Sequence, residues 1–162
     1  MSDPGADDQA ERRERERTYD EIMSAFDGVE VPSSPFVDED DYLAVAVQRR
    51  LVGRTWDKLS RADLTAVRLD LGVLDPSAFW YFFPAFARAV LINNYFVDGM
   101  GEFLVAELAP GDQKPDWSAR LQPLSSLQRR AVANFLRWYI SSETYVPARD
   151  RLADAWGLDA EG

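Results

Sequence analysis

The chain has 162 residues and a net charge of −10, with neither cysteine nor histidine. Its length suits one domain with one core, and the two missing residue types remove disulfides, thiolate and imidazole metal ligands, cysteine nucleophiles and every Ser-His-Asp or Cys-His arrangement. Residues 1–30 hold ten acidic and four basic side chains against eighteen and fourteen in the other 132, so the acidity is largely a property of the leading segment and no basic stripe is present for nucleic acid.

Residues 1–10, with Pro4, Gly5 and three aspartates, read as a disordered or frayed tail. Their polar, acidic character lacks a secretory pattern, and the cytoplasm is the expected location. A single helical domain is expected over residues 11–162. It opens with a peripheral helix over 11–27, where the mixed-charge run Glu11–Arg17 leads into Tyr19, Ile22, Met23 and Phe26 at i, i+3, i+4 and i+7. The last two turns of that helix therefore dock, and Gly28 stops it. Pro32-Ser33-Ser34-Pro35 marks a loop.

Three helix starts share one signature. Asp38, Ser60 and Asp75 are N-caps, each flanked by an apolar pair suited to a hydrophobic staple: Val37 with Tyr42, Leu59 with Leu64, Leu74 with Phe79. Ser60 with Asp63 imitates a capping box, and Pro76 takes the first helical position, where its missing N–H costs nothing. Leu43–Val47 is rich in valine, and Val67–Val73 alternates as a half-buried strand would. For the second segment, Leu64, Val67, Leu71 and Leu74 also fit helical spacing, and the cap at Ser60 favours helix over strand.

Phe79-Trp80-Tyr81-Phe82-Phe83-Pro84-Ala85-Phe86 holds six aromatic residues in eight and forms the centre of the predicted core. Pro84 predicts a kink or a break, and Ala85–Phe96 is apolar on nearly every side, as a helix packed all round would be. Arg88 near the middle of 79–97, with Asn93 and Asn94 after it, argues for a core helix rather than a membrane span. A short helix over Glu102–Leu108, a loop over 109–115, a strong helix over 126–141 capped by Ser125 with Gln128, and a last helix from Pro147 to Trp156 closed by Gly157 complete the chain. The expected fold is all-α, a compact domain of about seven helices built around a central kinked aromatic helix over 76–96.

Trp56-Asp57-Lys58-Leu59, the stretch Leu74–Phe86 and the stretch Leu124–Leu136 resemble a family of small bacterial domains of unknown function, the DUF6714 type, with the likeness covering roughly 55–138. The chain departs from the family pattern at Phe83, where leucine is expected, and the family's N-terminal part is not evident. The resemblance implies a mainly helical bacterial protein and brings no activity with it.

Candidate sites compete with structural roles. The aromatic block offers a ligand or partner surface, with Trp80, Tyr81, Arg88 and Asn94 as its polar contacts; the favoured reading is a core helix whose polar tips reach the surface. Asp38-Glu39-Asp40-Asp41 supplies oxygen ligands, but successive helical residues point 100° apart and cannot converge on one ion, so capping is the better account. Arg129, Arg130 and Arg137 with Lys114 and Arg120 suggest a modest anion surface, balanced by Asp112, Asp116 and Glu143. Asp57, Asp98 and Glu102 lie near aromatic residues as possible acid–base groups, which spacing alone does not bring together. No metal, cofactor or nucleic acid is expected. The resulting expectation is a non-enzymatic interaction or regulatory protein, possible partners including a basic protein neutralised in the manner of bacterial immunity proteins. The alternative is an enzyme using carboxylate, tyrosine or arginine chemistry beside Trp80 and Arg88.

Overall fold

The computed structural model describes residues 4–33, 37–38, 40–111, 117–143 and 145–158. Among them are eight α-helices: α1 (Pro4–Ala25), α2 (Tyr42–Leu51), α3 (Arg61–Val67), α4 (Pro76–Leu91), α5 (Met100–Leu108), α6 (Trp117–Leu121), α7 (Ser126–Ser142) and α8 (Arg149–Trp156). Single 3-10 turns lie at Trp56–Lys58, Leu71–Val73 and Asn93–Tyr95. The only β feature among the described residues is one isolated bridge between Val37 and Leu74. The eighth helix, beyond the seven expected, is the five-residue α6, too short to show a period in sequence.

Helix α1 starts at Pro4 rather than Glu11, with Asp7 in its first turn, where the helix dipole favours a carboxylate. Residues 1–3 lie outside the described residues. Gly5 to Glu14 are all exposed, and the pairs Arg12–Glu16 at 3.1 Å and Arg15–Glu11 at 3.3 Å lie along the helix surface. The last two turns bury Thr18, Tyr19, Ile22 and Ala25, with Phe26 beyond them, against α4 and α7.

Helix α2 is capped by Asp41, not Asp38: the Asp41 carboxylate accepts from the N–H groups of Leu43 at 2.9 Å and Ala44 at 3.3 Å. Asp38 accepts from the N–H of Asp40 in the turn before it. Consecutive carboxylates offer several competing caps, and the one used turns Ala44, Val47 and Leu51 inward. The staple expected between Val37 and Tyr42 is therefore absent. Tyr42 is 86 % exposed, and Val37 pairs with Leu74 instead. Glu39, Ser34 and Pro35 lie outside the described residues.

Ser60 and Asp63 form a full capping box at α3, and Leu59 and Leu64 are buried beside it. Asp63 is itself 4 % exposed and receives Arg50 at 3.3 Å and Arg54. Burial opposes its ionisation, yet the N–H and hydroxyl of Ser60 and the two guanidiniums outweigh that and hold its pKa below the usual carboxylate value. Asp63→Ala is expected to cost about 2 kcal/mol, mostly through the lost cap and the stranded Ser60 N–H, since both arginines are half-exposed and screened. A carboxyl whose folded pKa lies below its unfolded value, near 3.9, gives its full contribution above that pH and loses it as the pH falls further. The gap between wild type and Asp63→Ala in urea melts should accordingly narrow as the pH is lowered from about 5 toward the folded pKa. A gap that is constant or widens would contradict this assignment.

The segment 67–73 is neither a continuous helix nor a strand: α3 ends at Val67, a turn follows, and Leu71–Val73 is a 3-10 turn. Leu64, Val67, Leu71 and Leu74 are all buried, as helical spacing suggested, while Leu69 is 64 % exposed. The turn lies against α5, and a Cβ on Gly72 would meet the Glu107 carboxylate at 2.9 Å.

Helix α4 is capped by Asp75, which accepts from the N–H of Ala78 at 2.9 Å. It runs through Pro84 without a break, and burial of thirteen of its sixteen residues outweighs the roughly 3 kcal/mol cost of an interior proline. It ends at Leu91, short of the expected 96, because Ile92 is extended and Asn93–Tyr95 form a 3-10 turn. Phe83 meets Phe26 of the α1 end at 5.4 Å and Phe135 of α7 at 6.1 Å between ring centres. Ser125 and Gln128 make the capping box expected for α7. Gly157 closes α8 in the left-handed conformation at φ 67°.

Candidate functional site

The sequence candidates divide into a buried trio and an exposed residue. Trp80, Tyr81 and Arg88 are 2 %, 5 % and 6 % exposed, whereas Asn94 is exposed beside a small recess between α1 and the end of α4. The trio bonds within the core, with only the Arg88 Nε–H left without a partner among the described residues. Trp80 donates its indole N–H to the carbonyl of Arg120, the Tyr81 hydroxyl meets the main chain of Trp56, and Arg88 donates to the carbonyls of Leu59 at 2.9 Å and Asp57 at 3.4 Å. The Arg88 guanidinium also lies over the rings of Tyr95 at 4.1 Å and Trp56 at 5.8 Å.

The arginines of the suggested anion surface do not gather. Arg120 is mostly buried over the ring of Phe79 at 4.2 Å, with Glu107 at 3.8 Å, and burial lowers its pKa against the pull of Glu107. Arg129 donates to the carbonyl of Leu121, and Arg137 to Asn134 and to the carbonyl of Gly157. Arg130 is exposed. Lys114, Asp112 and Asp116 lie outside the described residues.

The carboxylates do come together in part. A cleft of about 370 Å³ opens between the first turn of α5 and the end of α7, and it is lined by Asp98, Glu102 and Glu143 together with Val90, Phe96, Trp138 and Tyr139. Asp57 is elsewhere, with its pKa lowered by a hydrogen bond from Thr55. Local sequence builds the cleft. Gly99 turns the chain at φ 80° into α5 and lets Asp98 and Glu102 stand at one end of it; Glu143 ends α7, where the last carbonyls of the helix add partial negative charge. Gly101 permits the closest contact, since a Cβ there would lie 2.8 Å from the Tyr139 ring.

Tyr139 is 6 % exposed, and its hydroxyl makes no hydrogen bond among the described residues. Burial, and then the charges of Glu143 and Glu102, push its pKa up to about 12, so it stays protonated at neutral pH. Asp98, Glu102 and Glu143 form no ion pair among the described residues. The Trp138 indole N–H is buried without a partner. Of the residues lining this cleft, the sequence offers Asp98 and Glu102 as acid–base candidates and Glu143 as a counter-charge to the arginines; Tyr139 carries no signal beyond its place in the helix expected over 126–141.

No helix among the described residues is long and apolar enough to cross a membrane, and no group of three or more acidic side chains there is arranged to hold a metal ion. A family model described as a family of unknown function, DUF6714, matches residues 15–156. The match is wider at both ends than the likeness read from the sequence, beginning within α1 and ending at the last residue of α8. No curated protein and no solved structure matches the chain.

Proposed function

The chain belongs to the DUF6714 family of unknown function, and we propose that it is a non-enzymatic interaction protein that binds and holds a basic protein partner, as immunity proteins do. The observation that carries this reading is the cleft between α5 and α7, where three carboxylates without ion-pair partners among the described residues stand beside half-exposed Phe96. Oppositely charged groups on a partner would be steered to such a face and registered on it. The enzymatic alternative asks for tyrosine or carboxyl groups tuned toward neutrality, but the pKa values of Tyr81 and Tyr139 are raised and that of Asp57 is lowered, each away from that range.

The test is fluorescence anisotropy with a labelled arginine-containing peptide and an acidic peptide of equal length, over a series of salt concentrations. Binding of the basic peptide that weakens steeply with salt, with none of the acidic one, is the expected result. Equal binding of both, or no dependence on salt, counts against the reading.

A further inference from the structure

We infer that a hollow of about 450 Å³ at the C-terminal end of α2 binds the phosphoryl group of a small phosphate monoester, an inference that does not rest on the acidic cleft. Arg49, Arg50 and Arg54 line the hollow with Asp63, so three guanidiniums face one carboxylate in a chain whose net charge is −10. Local sequence brings them together. Arg49 and Arg50 occupy the last turn of α2, where the helix dipole favours cations. Gly53 then turns the chain at φ 76°, and Arg54 joins Arg50 at the same carboxylate. Asp63 is more than nine-tenths buried and is itself held by the Ser60 N–H at 2.9 Å. One Nη of Arg50 meets one of its oxygens and one Nη of Arg54 meets the other, so each fork keeps most of its five N–H groups for a ligand. Arg49 makes no hydrogen bond or ion pair among the described residues.

The helix dipole accounts for cations at the end of α2, but not for Arg54 beyond the helix or for a buried carboxylate from α3 that gathers two of the three. Side chains held in place before a ligand arrives lose less freedom when it binds, which is what Asp63 does for Arg50 and Arg54. The charge balance selects the ligand. A phosphoryl group carries about two negative charges and three acceptor oxygens, which matches the surplus of guanidiniums over carboxylate and the planar fork that arginine presents to phosphate. A carboxylate or a phosphodiester brings only one charge and two free oxygens. A nucleic-acid backbone also needs a basic track, whereas these arginines share one hollow and the other end of α2 carries Asp40 and Asp41. Exposed Ala46 and Val52 complete the lining and offer apolar surface to the organic part of the ester.

The experiment uses the full chain labelled with ¹⁵N, at constant ionic strength and about pH 7.5, where a phosphate monoester is mostly a dianion. It follows the assigned amide resonance of Gly53, in the turn between Val52 and Arg54. Phenyl phosphate, inorganic phosphate, diphenyl phosphate and benzoate are the probes. Phenyl phosphate is expected to shift the resonance saturably and to bind about tenfold more tightly than diphenyl phosphate or benzoate, and several-fold more tightly than inorganic phosphate. Arg49→Gln should weaken it about tenfold, and because Arg49 bonds to no described residue this variant keeps the fold. Arg54→Gln should weaken it about as much, with its melting temperature measured because it also removes a partner of Asp63. Arg130→Gln, at an exposed arginine of α7, should bind as wild type does. The inference is overturned if phenyl phosphate gives no saturable shift, if benzoate or diphenyl phosphate binds as tightly, or if Arg49→Gln binds as wild type does. It is also overturned if Arg130→Gln weakens binding as much as Arg49→Gln, which would mark general attraction to cations, or if inorganic phosphate binds as tightly as the ester.

Discussion

Phe83→Ala is expected to lower stability by about 4 kcal/mol, within the range for deleting a buried phenyl ring from a packed core. Phe83 is fully buried, and its ring has Trp80 at 5.2 Å, Phe26 at 5.4 Å, Phe135 at 6.1 Å and Phe79 at 6.4 Å between centres. Those neighbours come from α4 itself, the end of α1 and α7, so they can collapse into the void only by moving three segments at once. A domain of this size loses roughly 2–4 °C per kcal/mol, which puts the melting temperature about 8–16 °C lower. The midpoint of urea unfolding should fall with its slope unchanged. Phe83→Leu, which restores the residue suggested by the family pattern, should cost only about 1 kcal/mol, since it removes less volume. Leu69→Ala is the control: Leu69 is 64 % exposed, and a change within about 0.5 kcal/mol is expected. A melting temperature within 2 °C of wild type for Phe83→Ala would show that the rings around it do not act as one packed unit.

The parts of the fold legible in sequence are those governed by neighbours a few residues apart. Ser60, Asp75 and Ser125 act as caps because each places one acceptor ahead of free N–H groups, a relation complete within four residues. Asp38 failed for the same local reason, since a run of acidic residues offers several caps and only tertiary packing of Ala44, Val47 and Leu51 selects Asp41. The turn after Val67 depends on α5, against which Gly72 must sit close, and no spacing within 67–73 encodes that distance. The cleft was hidden for a related reason. Asp98 and Glu102 were singled out, but spacing alone did not bring them together, and Glu143 and Tyr139 reach them only because α7 ends beside the start of α5. A tyrosine on an apolar helix face reads as core; the missing partner of its hydroxyl is visible only in three dimensions.

Arg88→Ala is expected to cost about 3 kcal/mol, although Arg88 carries no charge partner in the usual sense. Its guanidinium donates to the carbonyls of Asp57 and Leu59, lies over Tyr95 and Trp56, and faces the hydroxyl of Tyr19, whose pKa is raised by burial in spite of that positive charge. One side chain of α4 thus ties together α1, the turn at Trp56–Lys58 and the turn at Asn93–Tyr95. Truncation strands two carbonyls, of which that of Leu59 is met within a buried contact, and removes the cation from the Tyr95 ring. Arg88→Lys should recover little, because an ammonium cannot reach two carbonyls and stack on a ring in one geometry. Arg88→Met should be closer to wild type than Arg88→Ala: it keeps much of the packing, and the Arg88 Nε–H is buried without an acceptor, so part of the cation's burial is uncompensated. Thermal and urea melts of the three variants give the order. Amide hydrogen exchange should quicken first at residues 56–59 in Arg88→Ala, since those are the main-chain groups that the guanidinium holds. If Arg88→Ala falls within about 1 kcal/mol of wild type, the aromatic cage holds those segments by itself and the cation is a passenger in it.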